Sequence, residues 1–158
     1  MDKREAVTIV IVSYRPVWEK MRLTLRSVLL QQGVDCYIVV ADDGSKDNLF
    51  PQVEQYLRGA GCTRYELVAH EKNQGTVRNV YDGLQHCRTD YVKLISPGDM
   101  LYGEHTLADW LHETQQRDAA MSFCDAIYYH MEGEEFVSTA EYAHPQNAIA
   151  YSGGGTDT

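Results

Sequence analysis

The segment CYIVVADDGSKDN, Cys36–Asn48, places an uninterrupted apolar run directly before two aspartates and a glycine. Its first half, Cys36 to Ala41, is rich in β-branched residues and apolar on both faces. That pattern is typical of a strand buried in a parallel sheet. The next four residues, DDGS at 42–45, have the composition of a turn. The segment therefore predicts a buried strand that ends in two carboxylates.

The same pattern of an apolar run and an amphipathic stretch recurs along the chain. Three further strands are predicted at Val7–Val12, Tyr65–Ala69 and Tyr91–Ile95, with helix-spaced apolar residues between and after them. Strands that alternate with helices predict a three-layer α/β/α domain with a mainly parallel, Rossmann-like sheet.

The loops that follow the predicted strands are the candidate site. Right-handed crossovers place such loops along one edge of a parallel sheet, and ligands of these folds bind at that edge. Four loops are therefore expected to meet there. They cover residues 13–15, 42–45, 73–79 and 96–99.

The composition suits one globular domain and excludes some partners. The chain has 158 residues, 44% of them hydrophobic, which is enough for a real core. We predict one domain over residues 1–143 and a flexible tail over 144–158, where periodicity is lost. The net charge of -9 argues against nucleic acid and anionic membrane surfaces as direct partners.

The spacing of the cysteines and the hydropathy of the chain indicate the cellular compartment. The four cysteines have neither CxxC nor zinc-site spacing, so we interpret them as buried free thiols in a reducing compartment. No apolar run has the length of a signal peptide or a membrane span. We therefore expect a cytoplasmic protein without a transmembrane segment in this chain.

Asp42 and Tyr14 are predicted to bind a pyrimidine base. A carboxylate accepts a strong hydrogen bond from an imide N–H. An aromatic face adds stacking that contributes about 1–3 kcal/mol. The alternative is that DDGS forms only a turn and a helix cap, with Ser45 or Asp47 as the capping residue.

A diphosphate beside that base would need cations. The chain has no GxxxxGK[ST] and no GxGxxG after its first strand, so no glycine-rich cradle is predicted. Arg78 and a divalent metal on Asp99 are the candidates. The alternatives are a solvated helix residue for Arg78 and a plain tight turn for residues 96–99. The scattered histidines, with no GxSxG motif, are interpreted as surface residues.

Four segments in one order resemble the N-terminal half of inverting family-two glycosyltransferases with the GT-A fold. They are VTIVIVSYR (7–15), IVVADDGSKDN (38–48), NQGTVRN (73–79) and YVKLISPGDML (91–101). The resemblance covers about residues 7–130, and DDGS with its apolar strand is the most specific part. It implies transfer of a sugar, most often from a UDP-sugar, to a glycan or lipid-linked acceptor. Bacterial surface polysaccharide (O-antigen or capsule) assembly at the inner face of the membrane is the typical setting.

The resemblance also implies roles for individual residues. The base would be held by the first loop and Asp42, while Asp43 would support the loop or approach the ribose. Residues implied to bind the nucleotide are Ser13, Tyr14, Arg15, Asp42, Asp43, Asn73, Gly75 and Arg78, with Asn79 beside them. The family's metal-binding Asp-x-Asp element falls on Ser96–Asp99, so Asp99 would hold Mn²⁺ or Mg²⁺.

Two features depart from the family pattern. Asp99 is the one carboxylate in its loop, which predicts weaker metal binding than two or three would give. Asp125 and Glu141 are late carboxylates, but neither lies in a motif that matches the family's general base. We expect that base to lie outside this chain, as in a fragment of a longer enzyme. Since base catalysis contributes about 10²–10⁴-fold, such a fragment would transfer sugar poorly.

Two other functions remain as alternatives. A noncatalytic nucleotide-sugar-binding or assembly module is favoured by the poor metal loop and the missing acceptor region. A sugar-nucleotide-forming nucleotidyltransferase would want glycines after the first strand, and SYRPVWEK has none.

Overall fold

The computed structural model describes residues 6–124, 126–133 and 135–142. The chain divides into two compact units, Met1–Arg117 and Asp118–Thr158. The elements are β1 (Ala6–Ser13), α1 (Trp18–Leu29), β2 (Asp35–Asp42), α2 (Phe50–Gly59), β3 (Tyr65–Ala69), α3 (Thr76–Gln85), β4 (Tyr91–Ile95), α4 (Thr106–Gln116), β5 (Ile127–Glu132) and β6 (Glu135–Tyr142).

The first unit is built on a four-stranded sheet of order β3-β2-β1-β4. Each pair in it, β1 with β2, β1 with β4 and β2 with β3, is parallel. Helices follow the strands, so the α/β class and the mainly parallel sheet predicted from the sequence are confirmed.

The larger core lies on one face of this sheet. Val7, Ile9 and Ile11 of β1 alternate toward it and are fully buried. Each such side chain contributes about 1.5–3 kcal/mol when it leaves water. Helices α1, α2 and α4 cover this face, and their buried contributors are Met21, Leu25, Val28, Val53, Leu57, Leu107 and Leu111.

The opposite face carries a smaller core and one helix. Val10, Val39 and Ala41 form its buried centre. Helix α3 contacts β1 and β2, and Gly83 is its point of closest approach. A Cβ atom on Gly83 would lie 2.8 Å from Cγ1 of Val10 and 3.1 Å from Cβ of Ala41. The missing side chain thus sets how closely α3 packs, and the three layers of the fold are complete.

The sheet register brings the carboxyl ends of the strands into one row. Ser13 at the end of β1 lies opposite Asp42 at the end of β2. Asp42 in turn lies opposite Ala69, the last residue of β3. Ile95 ends β4 opposite Ile11, two residues before the end of β1. The four loops predicted to converge therefore leave the same edge of the sheet.

The second unit contains an antiparallel hairpin of β5 and β6. The parallel sheet and its helices lie in the unit that ends at Arg117. The single domain predicted over residues 1–143 stays a prediction. The predicted tail, 144–158, lies outside the described residues. No helix among the described residues is long and apolar enough to cross a membrane.

The four cysteines are unbridged. Three of them, Cys36, Cys62 and Cys87, are half-buried, whereas Cys124 is exposed rather than buried as predicted. Burial, reinforced by the neighbouring Asp35 carboxylate, raises the pKa of Cys36 to about 11. That thiol is therefore protonated at neutral pH.

We expect Gly83→Ala to destabilise the protein by about 1–3 kcal/mol, because the added methyl group overlaps the stiff Val10 side chain. Urea unfolding followed by circular dichroism measures the change. Gly59→Ala is the matched control, since nothing lies within 4 Å of a Cβ atom at that helical position. Equal midpoints for the two variants would contradict the close packing of α3.

Candidate functional site

Asp42, the last residue of β2, is a fully buried carboxylate. A buried charge is costly unless it is hydrogen-bonded, and Asp42 is bonded to two serines. Its Oδ2 accepts from Oγ of Ser13 at 3.0 Å and from Oγ of Ser45 at 2.8 Å. Its Oδ1 accepts from the Ser45 backbone N–H at 2.7 Å. Asp42 therefore joins the end of β1 to the DDGS turn.

This burial limits what Asp42 can do directly. A ligand would reach its carboxylate only after a serine hydroxyl rotated away, because the residue has no exposed surface. The helix-cap part of the alternative is wrong for both Ser45 and Asp47, since α2 begins at Phe50 with Leu49 as its N-cap residue and no side-chain cap. The residue before α2 is Leu49, whose backbone N–H donates to Oδ1 of Asp47 at 3.2 Å.

The loop after β1 presents an aromatic ring and a cation together. Tyr14 is 44% exposed, and the guanidinium carbon of Arg15 lies 5.1 Å from its ring centroid. Arg15 has a left-handed backbone with φ of 50°. Its N–H donates to Oγ of Ser45 at 2.7 Å. The turn that Asp42 organises thus also fixes the backbone of Arg15.

Asp43 binds the loop that precedes α3. Its two carboxylate oxygens accept from the backbone N–H groups of Gln74 at 2.8 Å and Gly75 at 2.9 Å. A ring nitrogen of His70 lies 3.1 Å from Oδ1. Burial alone would raise the pKa of Asp43, but these hydrogen bonds outweigh it and hold the pKa below its ordinary value. Asp43 is therefore ionised at neutral pH and ties the second loop to the third.

Gly44 allows these two loops to touch backbone to backbone. Its φ is 72°, and a Cβ atom there would lie 2.3 Å from the carbonyl carbon of Lys72 and 2.6 Å from the nitrogen of Asn73. No side chain fits in that space. Asn73 belongs to the loop that Gly44 packs against, and it is exposed.

Asn79 and Arg78, neighbours on α3, point to different surroundings. Asn79 is buried, and its amide donates to the carbonyl oxygens of Ala41 at 3.0 Å and Ser13 at 3.3 Å. It therefore anchors α3 to the ends of β1 and β2. Arg78 is exposed, and its Nε donates to Asp82 at 2.9 Å. The alternative prediction of a solvated helix residue describes Arg78 as it stands in this structure.

The loop after β4 is a tight turn held by α1. Ser96 N–H donates to Oδ2 of Asp99 at 2.8 Å, and Asp99 N–H returns a bond to the Ser96 carbonyl at 2.9 Å. Thr24 of α1 accepts from Gly98 N–H at 2.9 Å and donates to the Asp99 carbonyl at 2.7 Å. A methyl group on Gly98 would lie 3.5 Å from Cδ of Lys20, so a lysine stem covers this turn.

Asp99 can supply a single oxygen ligand to a hard divalent cation. The side chain is exposed, and its Oδ1 takes part in no hydrogen bond within the described residues, so one oxygen ligand is available. Mg²⁺ and Mn²⁺ accept such oxygen ligands and complete their shell with water and substrate phosphate. No group of three or more metal-ligating side chains occurs in the part of the chain that the structure describes.

One hydrogen-bonded unit joins Ser13, Asp42, Asp43 and Gly75. The backbone of Arg15 belongs to it through Ser45, and Tyr14 is the residue before Arg15. Asp99 lies on a separate loop that is hydrogen-bonded to Thr24 of α1. Asp125 lies outside the described residues, and so does the side chain of Glu141. The predicted candidates for a late general base are therefore not placed.

His70 was missed by the sequence analysis, which treated all the histidines as surface residues. Its side chain is 9% exposed and lies between Asp43 and Asp82. A positional signal was present in the sequence: His70 directly follows the predicted strand Tyr65–Ala69, so it must lie at the same sheet edge as DDGS.

The comparisons with known proteins bear on the family and the fold of the chain. The sequence profile described as Glycosyl transferase family 2 matches residues 8–151. No curated protein sequence matches significantly.

The solved structures that resemble the chain include a mannosyltransferase and proteins named TarS. A mannosyltransferase, PcManGT from Pyrobaculum calidifontis, in complex with GDP-Man and Mn²⁺, has a TM-score of 0.65 at 18% identity over 72% of this chain and 33% of its own. S. aureus TarS has a TM-score of 0.60 at 20% identity over 72% of this chain and 20% of its own. TarS 1-349 in complex with UDP has a TM-score of 0.57 at 22% identity over 70% of this chain and 32% of its own.

At these identities the structures establish likeness of fold, here the GT-A α/β fold, and the chain spans about a third or less of their lengths. The family is established independently, because its profile covers most of the sequence. This chain belongs to glycosyl transferase family 2.

Proposed function

We propose that this chain binds a nucleoside diphosphate sugar, with UDP as the nucleotide, and forms the donor-binding part of an inverting glycosyltransferase. The observation that carries the proposal is the interlocked edge of the sheet. Asp42 and Asp43 hold three loops by hydrogen bonds while Tyr14 and Arg15 stay exposed beside them. TarS 1-349 has been solved with UDP and with UDP-GlcNAc, which supports a uridine donor here.

The base would lie against Tyr14, with the DDGS turn beneath it. Tyr14 is an exposed aromatic ring at this edge. Asp42 acts chiefly by fixing Ser13 and Ser45, and it would accept the imide N–H after one of their hydroxyls rotates. Asp43 and Gly75 would shape the ribose side, where Asn73 is exposed.

The diphosphate would meet cations that line the same edge. Arg15 lies beside Tyr14, Lys20 covers the turn at Gly98, and Arg78 lies on α3. Asp99 would hold a divalent cation, which when bound would stabilise the leaving diphosphate as a Lewis acid. The structure of PcManGT with GDP-Man and Mn²⁺ supports this role of a metal.

The transfer itself would be a direct displacement with inversion at the anomeric carbon. The acceptor hydroxyl forms the new bond as the bond to the diphosphate breaks, and a general base takes the hydroxyl proton. The acceptor would be a glycan or a lipid-linked sugar in bacterial surface polysaccharide assembly, on the cytoplasmic side of the membrane. Family membership supports the reaction class.

A noncatalytic nucleotide-sugar-binding module is the second candidate. It is favoured by Asp99, whose Oδ2 is engaged by its own loop rather than turned toward a ligand. Turnover separates the two functions: such a module would bind UDP but would neither transfer nor hydrolyse the sugar of a UDP-sugar.

We expect Tyr14→Ala to weaken UDP binding by about 1–3 kcal/mol, because the base loses its stacking partner. Isothermal titration calorimetry of the purified chain measures the affinity, with GDP as the competing nucleotide. Leu30→Ala is the control, since Leu30 is similarly exposed but lies at the C-terminal end of α1, outside the four loops that follow the strands. Equal weakening in both variants, or tighter binding of GDP, would contradict the proposed base site.

We expect Mn²⁺ to tighten UDP binding through Asp99 by a factor of about 5–150. Asp99→Asn should remove this gain, and EDTA should make the wild type and Asp99→Asn equal. Asp90→Asn is the matched control, because Asp90 is an exposed aspartate just before β4. UDP binding that ignores EDTA and Asp99 would leave the base site in place and remove the metal from the proposal.

A further inference from the structure

His70 lies between two carboxylates that come from different elements. One ring nitrogen is 3.1 Å from Oδ1 of Asp43, in the loop after β2, and the other is 2.8 Å from Oδ2 of Asp82, on α3. The side chains of His70 and Asp43 are 9% and 4% exposed, and that of Asp82 is 22% exposed. The His70–Asp43 pair is therefore largely shielded from solvent.

The ring can bond both carboxylates only when it carries both protons. A neutral imidazole has one N–H donor and one acceptor nitrogen, whereas the imidazolium has two donors. Deprotonation would set a lone pair against an ionised carboxylate in a buried place, which is unfavourable. The two contacts are thus formed together by the charged ring and not by the neutral one.

Both carboxylates lead to the proposed nucleotide site. Asp43 accepts hydrogen bonds from the N–H groups of Gln74 and Gly75, which directly precede α3. Asp82 accepts from Nε of Arg78 at 2.9 Å. His70 therefore stands in the middle of one chain of contacts that runs from the DDGS turn to an exposed guanidinium.

We propose that His70 is a positioning residue: its protonated ring joins Asp43 to Asp82 and so holds residues 73–75 and Arg78 in the arrangement that receives the nucleotide. This inference rests on the proposed function. His70 touches no substrate in it and acts through the two aspartates. The charged and titratable groups around the ring are Asp43 from the loop after β2, Asp82 and Arg78 from α3, and the exposed Glu71 and Lys72 of its own loop.

The test is UDP affinity of the wild type and of His70→Gln from about pH 5 to about pH 8, the range in which an ordinary histidine changes charge. Glutamine keeps a donor but has no charge to lose. We expect His70→Gln to bind UDP about tenfold more weakly at the acidic end. Wherever the wild-type ring is neutral, the difference should vanish, because the second N–H donor is then absent. The terminal phosphate of UDP titrates equally for both proteins and cancels in the ratio.

His86→Gln is the matched control. His86 also bonds a carboxylate, Glu66 at 2.7 Å, but it does so just beyond the other end of α3. We expect this variant to keep the affinity and the pH profile of the wild type. The same loss in His86→Gln would overturn the inference, because it would mark a general effect of histidine replacement.

A second measurement needs no substitution and remains valid if His70→Gln folds poorly. Nitrogen-15 NMR of the wild type should show both ring nitrogens of His70 protonated at the pH of tightest UDP binding. The Gln74 and Gly75 amide signals should shift together with the ring. A ring that is neutral wherever UDP binds would overturn the inference, and so would equal affinities of the wild type and His70→Gln at every pH. A wild type that binds no nucleoside diphosphate at any pH would instead overturn the proposed function and this inference with it.

Discussion

The candidate site depends on two carboxylates placed side by side at the end of one buried strand. Asp42 and Asp43 have almost no exposed surface, so each must be satisfied by hydrogen bonds from the protein. Successive side chains diverge, and the two therefore recruit different partners. Asp42 gathers the serines at the end of β1 and in its own turn, and Asp43 gathers the backbone before α3. Because both buried carboxylates need hydrogen-bond donors, they hold three loops together.

Much of this arrangement follows from the sequence because it rests on local patterns. The apolar β-branched run before DDGS predicts a buried strand, and the alternation of strands and helices predicts the parallel sheet. Strand order and register then place Ser13 beside Asp42. The glycine of DDGS is also readable, since Gly44 occupies a left-handed position in close contact with Lys72.

The partners of the site residues were harder to predict, since they come from distant parts of the chain. His70 meets Asp43 from 27 residues away and Asp82 from 12 residues away, and no local pattern records such pairings. The burial of Asp42 was missed for the same reason: the hydroxyl that covers it belongs to Ser13, on another strand. Arg78 was predicted near the diphosphate, and that role stays a prediction, but the bond between its guanidinium and Asp82 was not foreseen. These pairings are set by electrostatic interactions between residues that are far apart in the sequence.

Arg15 shows that the edge is not built for stability alone. A left-handed backbone at a residue with a Cβ atom costs about 1–2 kcal/mol, and Arg15 adopts it with φ of 50°. Glycine or asparagine would relax that cost, but neither carries a cation over the Tyr14 ring. For a domain whose total margin is about 5–15 kcal/mol, this is a noticeable fraction. Under the proposed function, selection for thermal resistance and selection for the guanidinium would act on this one position in opposite directions.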